Sequence, residues 1–111
     1  MDDRIRRTEL AARRLIKSHI RDAIYRAKAE QNAVYERMLY LETAISEEAQ
    51  QEWATVRTLW REESDLPLLL PVLTGVLQRV LIECQDAYPN DPEAQRALRH
   101  FTTSNLNGMM S

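Results

Sequence analysis

The chain reads as an all-α protein, a small bundle of about four helices with a long first helix and a short C-terminal tail. Three observations predict this. There are only two glycines and four prolines in 111 residues, too few for the frequent turns of a β fold. No proline or glycine occurs before Pro67, so nothing in the first half of the chain interrupts a helix. Finally, apolar residues recur at spacings of three, four and seven, the spacing of a helix laid against other helices. At 44% hydrophobic and 29% charged the composition is that of a globular domain rather than a disordered tail. The length suits a single domain, residues 1–111.

The first helix starts at Asp2 or Asp3, either of which can cap it, and its pattern persists to Ile45. Ile20, Ile24, Ala27, Val34, Met38, Leu41 and Ile45 form a heptad seam interrupted only by Gln31. An unbroken helix over Asp3–Ile45 would be about 64 Å long at ~1.5 Å per residue. The sequence leaves two solutions: a break near Ala29–Asn32, where apolar density falls, or packing of part of the helix on another chain.

Ser46 followed by Glu47 and Glu48 reads as an N-cap with acids opposing the positive helix end. A second helix is therefore expected over 47–64, with Ala49, Trp53, Val56 and Trp60 as its apolar face. Ser64-Asp65 before Pro67 reads as the next cap, since proline is tolerated in a first turn. The third helix, over 67–88, is predicted to be the central buried one, with Leu73, Leu77, Val80, Leu81 and Cys84 facing the core. Pro67, Pro71, Gln78 and Arg79 argue against a membrane span there. Asp91-Pro92-Glu93 combines cap, proline and acid, and starts a fourth helix over 92–103. The remaining tail, 104–111, has no packing pattern.

Chemistry-bearing motifs are scarce. The single Cys84 excludes an internal disulfide, and apolar neighbours favour an inert thiol. His19 and His100 have no assignable nucleophile or orienting carboxylate. Glu47-Glu48 and Glu62-Glu63 diverge around a helix rather than converge on one site. No Glu-x-x-His pair supports a helical di-iron centre, and Gly75 and Gly108 are isolated, so no phosphate loop is present. The expectation is no catalytic residue, no metal, no cofactor and no small-molecule substrate. The acidic-then-basic opening of the chain contains no apolar leader, and with the cysteine count it suggests a cytoplasmic protein.

Charge is distributed unevenly. Residues 1–30 hold nine bases and five acids, and the other 81 hold six bases and twelve acids, so a +4 segment is joined to a −6 body. At 100° per residue, Arg6, Arg13, Lys17, Arg21 and Lys28 share one stripe, with Arg7 and Arg14 beside it. Ile5, Ala12, Ile16, Ala23 and Ala27 lie about a quarter-turn away, as a core face. Such a stripe, centred on Arg6, Arg13, Arg14, Lys17, Arg21 and Lys28, has the chemistry to follow a phosphate backbone. The commoner reading is a solvated face whose bases pair with the acidic body. No helix-turn-helix turn, zinc finger or stacking platform accompanies the stripe.

Trp53 and Trp60 read first as core and second as a protein-interface anchor. With Val34, Met38 and Leu41 they complete the candidate interface. The function expected is that of a non-catalytic interaction subunit of a larger assembly, through a protein partner or self-association; one form of it is a small subunit of a nucleoprotein complex, with the basic stripe within residues 4–28 on phosphates. The alternative is a helical chaperone or adaptor shielding a protein partner. A membrane partner is not expected.

Overall fold

The computed structural model describes residues 3–60 and 62–100, without the side chains of residues 62, 63, 66 and 100. It contains four helices in chain order: α1 (Asp3–Ala29), α2 (Ala33–Arg57), α3 (Glu62–Ala87) and α4 (Pro92–His100). The all-α bundle read from the sequence is the fold observed. The tail 104–111 and the last residues of the expected fourth helix lie outside the described residues.

The long first pattern resolves into a hairpin. The break falls at 30–32, where the amides of Gln31 and Asn32 both donate to the Lys28 carbonyl, at 3.0 and 3.1 Å. Asn32 has extended backbone angles, and its side-chain oxygen accepts from the Val34 N–H at 3.0 Å. Asparagine is among the strongest N-caps because its short side chain satisfies an orphan donor of the first turn. One capping asparagine thus folds what would be a rod of about 80 Å over residues 3–57 into two antiparallel helices of about 40 Å, in a body measuring 46 × 24 × 23 Å.

Three boundaries differ from the sequence reading. Ser46 does not cap a helix; it is buried inside α2, which runs unbroken from Ala33 to Arg57. With neither proline nor glycine nearby and Asn32 already capping, a serine in mid-helix costs only a few tenths of a kcal/mol. The second helix ends at Arg57 rather than 64, as the amides of Leu59 and Trp60 turn back on the carbonyls of Val56 and Arg57. The third helix begins at Glu62, so Pro67 and Pro71 lie within it rather than at its start. Asp65, in that first turn, opposes the helix dipole and reaches Arg4 of α1 at 3.4 Å. That tie offsets part of the cost of two missing backbone donors.

α1 is the element on which every other helix packs. α2 and α3 lie along it without approaching each other closely, and α4 touches α1 and α3. The expectation of α3 as the central helix is therefore corrected: α1 occupies that place. With neighbours on several sides its buried arc is wide, taking in Thr8, Ala11, Ala12, Leu15, Ile16, Ser18, Ile20 and Ile24. The predicted core face is displaced accordingly. Ala12 and Ile16 are buried, Ile5 and Ala23 are half-buried, and Ala27 is exposed. α3 contributes Leu69, Leu73, Val76, Leu77, Val80 and Cys84 to the same core.

Both ends of α1 are tied. At its start, the Trp60 indole N–H donates to the Thr8 hydroxyl at 2.7 Å. That hydroxyl in turn donates to the Arg4 carbonyl at 2.7 Å, and the Arg4 guanidinium sits 4.2 Å from the Trp60 ring centroid. At its end, the Lys28 ammonium pairs with Asp91 and lies 5.0 Å from the Tyr35 ring.

Asp91 does two things, because its other carboxylate oxygen accepts from the amides of Glu93 and Ala94, both at 3.2 Å, capping α4. The hydrogen bond from Lys28 is the main reason that its carboxyl is held below the usual range, with the helix amides adding to it. A depressed folded-state pKa gives stability that is complete above the ordinary carboxylate range and is lost as the pH falls from there through the depressed folded value. Asp91→Asn keeps a competent cap and removes the charge. We expect it to cost about 1 kcal/mol at neutral pH and almost nothing once the pH is below the depressed value, near pH ~2. Urea midpoints at the two pH values check this; an equal difference at both would show that the charge is not the stabilising feature.

Candidate functional site

The basic stripe of α1 lies in the trough between α2 and α3 and does not form an open track. Of its six candidate residues only Arg6 and Arg14 are exposed, while Arg13, Lys17, Arg21 and Lys28 are half-buried. Acids from the flanking helices meet them. Arg13 is gripped in two-pronged fashion by Glu83 of α3, at 2.7 and 2.8 Å. Arg14 reaches Glu52 of α2 at 2.9 Å, and Lys28 pairs with Asp91. The Arg13 guanidinium, by its hydrogen bonds, pulls the Glu83 carboxyl below its ordinary value. The +4 segment is thus largely neutralised by the −6 body of the same chain. Among the described residues Arg6, Lys17 and Arg21 have no ion-pair partner within 4.0 Å.

The candidate interface residues divide into two groups. Trp53 and Trp60 are buried among Ala49, Val56 and the α1 core, so they are core residues of the folded chain rather than anchors on its surface. Val34 and Leu41 are 62% and 63% exposed, and Ile45, next on the same stripe, is 50% exposed. Met38 between them is half-buried. Residues 34, 38, 41 and 45 follow spacings of four, three and four, so they form one line along the first half of α2. That half buries little of its own surface: Glu42 is its only buried residue before Ser46.

A cleft of about 380 Å³ lies where α1 and α2 face each other. Arg14, Lys17, Ser18 and Arg21 line it from α1, and Glu42, Ile45, Glu48 and Glu52 are among the residues that line it from α2. Sequence reasoning missed Ser18 and Glu42. Glu42 is 5% exposed and Ser18 is 2% exposed, yet neither the Glu42 Oε1 atom nor the Ser18 hydroxyl has a hydrogen-bond partner. The signal was nonetheless present. Stepping back from Trp60, Val56, Trp53 and Ala49 by three and then four residues reaches Ser46 and Glu42. A helix continuous through Ser46 therefore places a carboxylate on its own core face.

The remaining chemistry-bearing residues are quiet. Cys84 is buried, and loss of hydration pushes its thiol above the ordinary value, which disfavours the thiolate. Burial likewise lowers His19, with Asp22 opposing the shift. No group of three or more metal-ligating side chains occurs among the described residues. The stretch Pro67–Ala87 is long and apolar enough to cross a bilayer, with a mean hydropathy of 1.5 in its most apolar window, and one third of that window is buried within the fold. Comparison with protein families, with curated proteins and with solved structures finds no match.

Proposed function

We propose that this chain is a non-catalytic helical interaction protein that docks through the apolar line Val34, Met38, Leu41 and Ile45 on α2. The observation that supports this reading is the exposure of three large apolar side chains in one row, on a half-helix with little core of its own. A contiguous apolar strip rimmed by charge is the usual mark of a surface made to be covered. Covering it also supplies the tertiary packing on which most helical stability depends. The spacing four-three-four reads the same in both directions, so an antiparallel second copy can set Val34 against Ile45 and Met38 against Leu41. Self-association is therefore the first form to test.

Sedimentation equilibrium on the purified chain should show a mass rising with concentration, and Leu41→Asp should return it to one chain. Because Leu41 is exposed in the single chain, the substitution should change unfolding stability by no more than about 0.5 kcal/mol at concentrations where the parent chain does not associate. A one-chain mass throughout the accessible range overturns the self-association form. The basic stripe supports nucleic-acid contact less well, since Arg13, Arg14 and Lys28 are already paired within the chain. Salt-sensitive binding of DNA or RNA that is lost in Arg13→Glu/Arg21→Glu would restore that reading.

A further inference from the structure

The cleft between α1 and α2 has a property that the docking line does not share. A carboxylate oxygen and a hydroxyl are shut away from bulk water there without a partner, on Glu42 and Ser18. Native folds pair nearly all their buried polar groups, because an unpaired one forfeits its hydration and gains nothing in return. A carboxylate in such a place calls for a positively charged donor, the strongest partner it can have. The cations of the cleft do not supply it. Arg14 is engaged by Glu52 at 2.9 Å, and no ion pair joins Lys17 or Arg21 to Glu42 among the described residues. The cleft therefore holds a buried carboxylate oxygen that lacks a partner, on Glu42, beside two half-buried cations, Lys17 and Arg21, that no ion pair engages among the described residues. Its volume of about 380 Å³ lies within the range of small-molecule sites. Ile45 and Ala49 on the α2 wall provide an apolar surface for a short carbon chain.

We propose that this cleft binds a small zwitterion: an ammonium group donating to Glu42 and Ser18, and a carboxylate or similar anion held by Lys17 and Arg21. A simple cation is disfavoured by the three bases lining the cleft, and a simple anion by Glu42, Glu48 and Glu52. A molecule carrying both charges on a short linker satisfies each side. The proposal goes beyond the docking reading, because none of the four polar groups it uses belongs to the apolar line.

Amide chemical shifts of the full chain, titrated with glycine, β-alanine and γ-aminobutyrate, test it. The expected result is saturable movement of the Ser18 and Glu42 signals with at least one of the three. Ethylammonium and propionate, each carrying one charge, should bind about tenfold more weakly or worse. Glu42→Gln should weaken the zwitterion at least about tenfold while the circular dichroism stays helical. If that variant does not fold, Lys17→Gln/Arg21→Gln, on half-exposed positions, should give the same loss. The proposal is overturned by an absence of saturable shifts into the high millimolar range, which would mean that water alone occupies the cleft. Equal binding of ethylammonium and the zwitterions overturns it too, as does unchanged binding by a folded Glu42→Gln chain.

Discussion

Trp60→Ala is expected to destabilise the fold by about 3–5 kcal/mol, the cost of deleting a buried tryptophan. The residue is buried beyond the end of α2 and closes the end of the bundle where α1 and α3 begin. Three interactions are lost together. Apolar ring surface leaves the core; the 2.7 Å indole bond to Thr8 disappears; and the Arg4 guanidinium loses the ring 4.2 Å away. Two milder variants separate these contributions. Trp60→Phe keeps most of the apolar bulk and removes the donor, and should cost about 1–2 kcal/mol. Thr8→Val keeps shape but strands the buried indole N–H, and should cost about 1–3 kcal/mol. The double variant Thr8→Val/Trp60→Phe should cost less than the two singles together, since neither side of the lost bond is then left unpaired. Urea unfolding followed by circular dichroism measures all four. A loss below about 1 kcal/mol for Trp60→Ala would place the indole outside the core and dismantle the described closure.

Leu73→Ala should be nearly as damaging, at about 2–5 kcal/mol, and it bears on what α3 is for. α3 is apolar on more than one side, with Leu69, Leu73 and Val80 fully buried and Leu68 and Ile82 exposed. If the buried side is the one that stabilises the chain, Leu73→Ala lowers the unfolding midpoint in detergent-free buffer, whereas Leu68→Ala changes stability by no more than about 0.5 kcal/mol. The denaturant slope should be unchanged in both, because the surface exposed on unfolding is nearly the same. Equal effects at the two positions would show that the outward side of α3 is also packed, and the helix would have to be placed differently.

Much of this fold was legible in the residues, and the reasons are local. The start of α4 was fixed by Asp91-Pro92-Glu93, in which cap, ring and acid all favour the same first turn. The break at 30–32 was one of two solutions that the thinning apolar density around Gln31 allowed, and the Asn32 cap decided between them. Ser46 misled because serine and the following acids favour a first turn, and the spacing alone offers no means to rank that cap against Asn32. The competition was decided by burial: Ser46, Ala49 and Trp53 all face α1 on one uninterrupted helix. Pro67 misled for a related reason. Proline is best accommodated in a first turn, but the Arg4–Asp65 contact ties the preceding residues into the helix from a partner more than sixty residues away.

The candidate site was less legible, because charge pairing is a property of neighbours in space. Sequence alone determined that the chain is all-helical, that its bases gather on one stripe of the first helix, and that an apolar line runs through Val34, Met38, Leu41 and Ile45. These are consequences of helical periodicity, which the order of residues specifies directly. Only the tertiary structure decided that the stripe faces Glu52, Glu83 and Asp91, that the two tryptophans are core, and that Glu42 and Ser18 share a cleft. Each of these depends on how helices distant in sequence are set around α1. That arrangement turned a +4 segment with the outline of a polyanion-binding face into a largely neutralised seam, and left the α2 line uncovered.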